Sequence, residues 1–185
     1  VLDQAARLFL ESGYVETTLR DIATACDVKA GSIYYHFESK ANILSHILDI
    51  GIERITEGTT EAIAANADSS PGGALRSAIQ GHLEALFEHG PYTAAHVSVF
   101  QSAPRDVREL GIVRRDAYEA LWAGLLDDLL KAGDLRPGTD LRVARIALFG
   151  AMNSTLDWFQ LGGSRTLAEV ADDVADLFLL GVVAR

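Results

Sequence analysis

Residues 19–40 read LRDIATACDVKAGSIYYHFESK, and this stretch decides the fold. Thr18, just before it, is a good helix N-cap, and Asp21 three residues later completes a capping-box pattern. A helix over 19–25 follows, burying Leu19, Ile22, Ala23 and Cys26. Asp27 is the turn residue, a type that tolerates left-handed backbone geometry. A second short helix over 30–37 puts Ile33 and Phe37 on an inward face, with Val28 leading into it. Gly31 and Tyr35 fall on the opposite side, and Ser32 and Tyr34 on the flanks. Gly31 weakens a helix, so something outside the helix should justify its place. Ser and Tyr hydroxyls hydrogen-bond phosphates, a Tyr ring packs on a thymine methyl, and helix starts present free N–H groups to anions. Periodicity leaves two readings open: a recognition helix for a DNA groove, or a helical hairpin whose Tyr34-Tyr35 pair packs on a partner helix.

Outward from this stretch, helical spacing runs through almost the whole chain, without sustained alternation or an Asn-Gly or Asp-Gly hairpin signal. The fold class is therefore all-α, with about nine helices. The first helix, over 1–11, turns Leu2, Ala5, Ala6, Leu8 and Phe9 inward and stops at Ser12-Gly13. Ser39 caps a long helix over 40–65, and NADSSPGG at 66–73 is the clearest linker. Helices over 74–89 and 91–101 follow, separated by Gly90-Pro91. Pro104 opens a long helix to about residue 131, and Asp140 caps an apolar one over 141–161. Thr166 and Glu169 form a second capping box, opening a last helix through about residue 183.

The chain has 185 residues and a net charge of −10. The first 50 residues hold four Lys or Arg (Arg7, Arg20, Lys29, Lys40) against seven Asp or Glu, a balance of −3. That argues against a generally sticky polycation and leaves any nucleic-acid contact to a few well-placed groups, alone or with a basic arm upstream of Val1. Cys26 is the only cysteine, which rules out an internal disulfide and fits a cytoplasmic protein. It reads as a small core residue, with a redox sensor as the other possibility. No apolar run reaches the length of a membrane span, and no secretory leader is visible.

Residues 1–44 closely resemble the N-terminal domain of the tetracycline-repressor (TetR) family of bacterial transcription regulators. The matching residues are Ala5-Ala6, Leu8-Phe9, Gly13-Tyr14, Thr18, Asp21-Ile22-Ala23, Val28, Gly31-Ser32-Ile33-Tyr34-Tyr35-His36-Phe37 and Ser39-Lys40. The resemblance implies a dimer whose two recognition helices enter successive major grooves of a near-palindromic operator, about 34–36 Å apart. It assigns DNA contact to Thr18, Arg20, Lys29, Gly31, Ser32, Tyr34, Tyr35, His36 and Lys40. The chain departs from the family pattern at two places. Lys29-Ala30 stands where a Ser-Lys pair is frequent, and Asp27 where a turn glycine is frequent. His36 is either a neutral hydrogen-bonder or a pH-sensitive contact.

The resemblance divides the chain into a helix-turn-helix DNA-binding domain at 1–45 and an effector-binding and dimerisation domain at 46–185. In the second, the 141–161 helix carries Val143, Ile146, Leu148, Phe149, Met152, Leu156, Trp158 and Phe159 nearly all round. A helix apolar on every side needs cover on every side. The last helix lines up Leu167, Val170, Val174, Leu177 and Phe178 on one side. The resemblance makes these two helices a four-helix dimer bundle; a monomer core is the alternative. Large side chains of the middle helices, Leu86, Phe87, Tyr92, His96, Phe100, Tyr118, Trp122, Met152 and Trp158, are the candidate lining of an effector pocket, with ordinary core as the other reading and the one preferred for most of them.

A weaker similarity, to the acyl-CoA-responsive branch of the family, rests on Trp122, Gly133, Leu135-Arg136-Pro137, Asp140, Trp158-Phe159 and Gly162-Gly163. Gln160-Leu161 stands where that branch often has Arg-Pro. Arg105, Arg108, Arg114 and Arg115 are then either ligands for CoA phosphates or a solvated face paired with Asp106, Glu109, Asp116 and Glu119.

No glycine-rich phosphate loop, nucleophile elbow or His-Glu-x-x-His motif marks an enzyme, and no cofactor is called for. His82, His89 and His96 recur every seven residues, but Gly90-Pro91 interrupts their helix, so no metal site is expected. The reading is a DNA-binding repressor released from its operator by a small apolar effector, acyl-CoA being the narrower candidate. The alternative is a dimeric ligand-binding protein without operator binding.

Overall fold

A computed structural model describes residues 1–67 and 70–182. Asp68 and Ser69 in the centre of the expected linker, and Val183 at the end of the last helix, lie outside them. Among the described residues there are ten α-helices, a 3-10 turn at Phe100–Ser102 and no strand. The helices are α1 (Leu2–Glu11), α2 (Leu19–Ala25), α3 (Ala30–His36), α4 (Lys40–Ala65), α5 (Pro71–Glu88), α6 (Pro91–Val99), α7 (Arg105–Ala132), α8 (Leu141–Asn153), α9 (Thr155–Trp158) and α10 (Leu167–Val182). None is long and apolar enough to cross a membrane.

The caps explain the boundaries. Thr18 and Asp21 bond reciprocally at the start of α2. Thr166 and Glu169 do the same before α10. The Asp140 carboxylate accepts from the amides of Arg142 and Val143 at 2.9 and 3.1 Å. Each removes an unpaired donor from a helix start. Asp27 is the one non-glycine residue with positive φ (+53°) among the described residues, so the α2–α3 turn does use left-handed geometry.

One expected helix is broken. The 141–161 segment ends as α8 at Asn153 and resumes as the single turn of α9. There the Ser154 hydroxyl donates to the Ala151 carbonyl at 2.9 Å, and that of Thr155 to Met152 at 2.6 Å. Hydroxyls that bond back to the preceding turn bend a helix without any glycine or proline.

The chain divides into two units: Val1–Arg54 with Phe87–Asp116, and Ile55–Leu86 with Ala117–Arg185. Helices α4, α5 and α7 contribute residues to both. In the first unit, α1 packs on α2 and α6, and α2 on α3. Its core is built on Ala5, Ala6, Phe9, Ile22, Ile33, Ile43, Leu44 and Ile47, joined by Tyr92, Ala95, Val99 and Val107. Phe37 packs against this core as expected, but Val28 is 42% exposed and only introduces α3. The second unit buries Leu75, Ile79 and Leu83 of α5, Trp122, Leu126 and Leu129 of α7, Leu148 and Met152 of α8, and Val170, Ala171 and Ala175 of α10. The expected stripe on α10 is only partly inward, because its outer end has nothing over it: Leu177 is 76% and Leu180 69% exposed.

Candidate functional site

In the first unit the residues form a face. Ile33, wholly buried, anchors α3, and Gly31, Ser32, Tyr34, Tyr35 and His36 are all exposed. Tyr35 is 85% exposed, with its ring edge-on to that of His36 at 5.0 Å. A Cβ built on Gly31 would meet nothing within 4 Å. No internal packing therefore offsets the roughly 1 kcal/mol by which glycine weakens a helix. The open space lies on the outward side, where another molecule's backbone can approach closely.

Thr17, Thr18, Leu19, Arg20, Tyr34 and Lys40 line an open depression of about 460 Å³ beside this face. Their chemistry there is unequal. The Lys40 ammonium donates to the carbonyls of Tyr14 (2.6 Å), Thr17 (2.8 Å) and Val15 (3.2 Å), and lies 4.3 Å from the centre of the Tyr14 ring. Its charge holds the α1–α2 connection. The Thr18 amide and hydroxyl both donate to the Asp21 carboxylate, at 2.8 and 2.7 Å. The hydroxyl bond, then the amide bond, holds the Asp21 carboxyl below the usual carboxylate range. Neither Thr18 nor Lys40 keeps a free donor to offer an anion, whereas Arg20 and Lys29 are exposed and have no ion-pair partner among the described residues. Lys29 is the N-cap of α3 and makes no side-chain cap bond.

The candidate pocket residues separate. Phe87, Tyr92, His96 and Phe100 belong to the first unit, and Leu86, Tyr118, Trp122, Met152 and Trp158 to the second. Tyr92 and Phe100 are part of the first unit's core. His96 donates from Nδ1 to the Leu48 carbonyl at 3.0 Å, and burial pulls its pKa down to about 4. Trp158 is 57% exposed. Of the three spaced histidines, His82 lies in the second unit and His89 and His96 in the first. The described residues contain no group of three or more His, Cys, Asp or Glu that could hold a metal ion.

In the second unit a buried polar chain surrounds Tyr118. Thr59 lies 2.9 Å from the Tyr118 hydroxyl, which lies 2.7 Å from His82 Nδ1. His82 Nε2 is 3.1 Å from Asn153 Oδ1. Burial raises the Tyr118 pKa, so the phenol stays protonated. The rings of His82, Tyr118 and Phe149 pack around Trp122 at 5.9, 6.2 and 5.4 Å. Of this cluster, Tyr118 and Trp122 were legible as pocket candidates, Phe149 only as part of the apolar 141–161 helix and His82 only by its spacing, while Thr59 and Asn153 were missed.

The four candidate arginines are mostly engaged. Arg105 pairs with Glu109 at 2.7 Å, as the solvated-face reading expects. Arg114 pairs instead with Asp49 of α4 at 2.8 Å, and Arg115 lies 4.5 Å from the centre of the Phe100 ring.

A three-helix head with an exposed polar-aromatic third helix is the architecture of a helix-turn-helix DNA-binding regulator. Comparison with known proteins agrees. Residues 1–47 match the family described as "Bacterial regulatory proteins, tetR family", and residues 68–182 match "Tetracyclin repressor-like, C-terminal domain". The chain belongs to the TetR family of transcriptional regulators. It is 29% identical to the HTH-type transcriptional repressor KstR2 of Rhodococcus jostii (strain RHA1), over 100% of this chain and 90% of that one. Among solved structures it is similar to the TetR-family regulator PfmR from Thermus thermophilus (27% identity, TM-score 0.81, 97% and 96% of the two chains). It also shares its fold with AibR, solved in complex with isovaleryl coenzyme A and operator DNA (21% identity, TM-score 0.84, 95% and 94% of the two chains).

Proposed function

We propose that the protein is a repressor whose dimer binds operator DNA through α3 and releases it when a small apolar effector enters the second domain. The observation that carries this is the outward face of α3: a buried Ile33 behind Gly31, Ser32, Tyr34, Tyr35 and His36, all exposed. Arg20 and Lys29 supply phosphate attraction. Thr18 and Lys40 support the site by holding the α1–α2 connection and the α2 start in place. The domain at 1–45 reads DNA, and 46–185 holds the effector and the partner.

The dimer forms through α8 and α10. Val143 and Ile146 are 60% and 58% exposed, and Leu177 and Leu180 more so. Val143, Ala144 and Ala147 of α8 and Leu177 and Phe178 of α10 line a shallow apolar depression of about 410 Å³. Apolar surface of this kind on paired helices suits a second copy. Repression follows the name of the KstR2 relative, and acyl-CoA as effector follows the ligand of AibR. The protein acts in the cytoplasm, where its DNA is.

A second reading, a ligand-binding dimer that has lost its operator, is favoured by the balance of −3 in the first 50 residues. Titration of the gene's own upstream DNA at several salt concentrations separates the two. Specific binding weakens with salt by a log–log slope of about −0.9 per phosphate contacted. Absence of binding at low salt selects the second reading.

A further inference from the structure

The exposed residues of α8 form one stripe: Val143, Ile146, Ala147, Gly150 and, at the bend, Ser154. At about 100° per residue they share a side of the helix. The stripe is bulky at its start and small in its middle. A Cβ built on Gly150 would meet nothing within 4 Å, so no packing inside the chain requires a glycine there. Glycine weakens a helix, and close approach of another backbone justifies it. Ser154 keeps right-handed helical angles through the bend (φ −62°, ψ −16°), so the stripe runs on to Trp158.

Trp158 is a projection. It is 57% exposed, with its ring edge-on to that of Phe159 at 6.3 Å, whereas Trp122 is wholly buried. Side chains of this kind bury about 150–250 Å² when they are covered. The other end of the stripe is a hollow: the apolar depression of about 410 Å³ between α8 and α10, lined in part by Val143, Ala147 and Leu177. The two features lie far apart along one helical run, so they cannot meet within one chain. Gly150 stands between them, seven residues after Val143 and eight before Trp158. Those spacings are about 10 Å and 12 Å along the axis. Two copies facing each other antiparallel, centred on Gly150, therefore bring Trp158 of each onto Val143 of the other. A two-fold axis across the helix gives this reciprocal pairing, and antiparallel helix dipoles favour it. A parallel pairing would set Trp158 against Trp158 and hollow against hollow, and would fill neither.

We infer that Trp158 is the anchor of the dimer, each copy inserting its indole into the other copy's hollow between α8 and α10, with the two α8 helices crossing at Gly150. This rests on the dimer reading above and deepens it by fixing the direction, the register and the main contact of the interface.

Cysteine cross-linking tests it, in a Cys26→Ser background that removes the one native thiol. Val143→Cys and Trp158→Cys are combined in one chain and oxidised. Within a chain these positions lie about 22 Å apart along the helix. A disulfide spans at most about 7 Å between Cα atoms, so a bond between them joins two copies. A covalent dimer on a non-reducing gel is expected from the double variant and from a mixture of the two single variants, and from neither single variant alone. In sedimentation, Trp158→Ala should weaken the dimer about thirtyfold, the scale for losing a buried aromatic anchor, and Trp158→Phe should restore part of it. A dimer that forms without the 143–158 bond, that cross-links through Trp158→Cys alone, or that is unchanged by Trp158→Ala overturns this inference and leaves the dimer reading standing. An unaltered protein that sediments as a monomer at every concentration overturns both.

Discussion

Lys40 Nζ sits 2.8 Å from the carbonyl oxygen of Thr17, so a cation expected to meet DNA is a structural staple. With its bonds to Tyr14 and Val15, it ties the start of α4 to the connection that leads into α2. Lys40→Met should cost about 1–3 kcal/mol in urea unfolding, the scale for losing charge-assisted hydrogen bonds. It should weaken operator binding without changing the salt slope. Arg20→Ala should do the reverse: little loss of stability, and a slope smaller by about 0.9. Equal slope changes in the two variants would mean that Lys40 does reach a phosphate.

Gly31 and Tyr35 separate binding from folding. Gly31→Ala meets open space and removes a helix-weakening residue, so stability should rise by up to about 1 kcal/mol. Operator affinity should fall, because the added methyl stands on the face that approaches DNA. An alanine variant that is more stable and binds equally well would show that this side of α3 is idle.

The legible parts of the chain were those with local causes. Thr18, Asp21, Asp140 and Thr166 cap within three residues of themselves, so the starts of α2, α8 and α10 could be read directly. The outward face of α3 follows from period alone once Ile33 is taken as the anchor. The role of Lys40 was not legible, because its acceptors are backbone carbonyls more than twenty residues upstream and backbone carries no sequence signature. The Tyr118 cluster was half legible for the same reason. Thr59, His82 and Asn153 meet across long stretches of chain, and no spacing rule connects them. Phe87 and Leu86 are neighbours in sequence yet fall in different units, which large apolar side chains alone could not foretell.

The contact of α4 with α6 leaves no room at Gly51. A Cβ there would lie 2.5 Å from the Tyr92 carbonyl oxygen and 2.7 Å from His96 Cβ. Gly51→Ala should therefore destabilise the protein by roughly 1–3 kcal/mol, the usual scale of overpacking. Thermal unfolding checks this, and a variant as stable as the parent would mean that the two helices yield easily.

His96 makes the first unit acid-sensitive. The unfolded chain takes up this proton near pH 6.5, and the fold only at about 4. Between those values the unfolded state holds more protons, so this contribution to stability is lost as pH falls through 6.5 and levels off below 4. His96→Gln should flatten that part of the stability profile in urea titrations near pH 7 and near pH 5. Parallel profiles for variant and parent would place the acid sensitivity elsewhere.

The central claim is that the exposed face of α3 reads DNA. Its most direct test is fluorescence anisotropy of labelled DNA from the gene's own upstream region, titrated with the unaltered protein and with Tyr35→Ala. Tyr35 is 85% exposed, so its removal should leave stability within about 0.5 kcal/mol and the dimer intact. Tight, salt-sensitive binding by the parent and none by the variant is expected. Equal affinity of the two would contradict it.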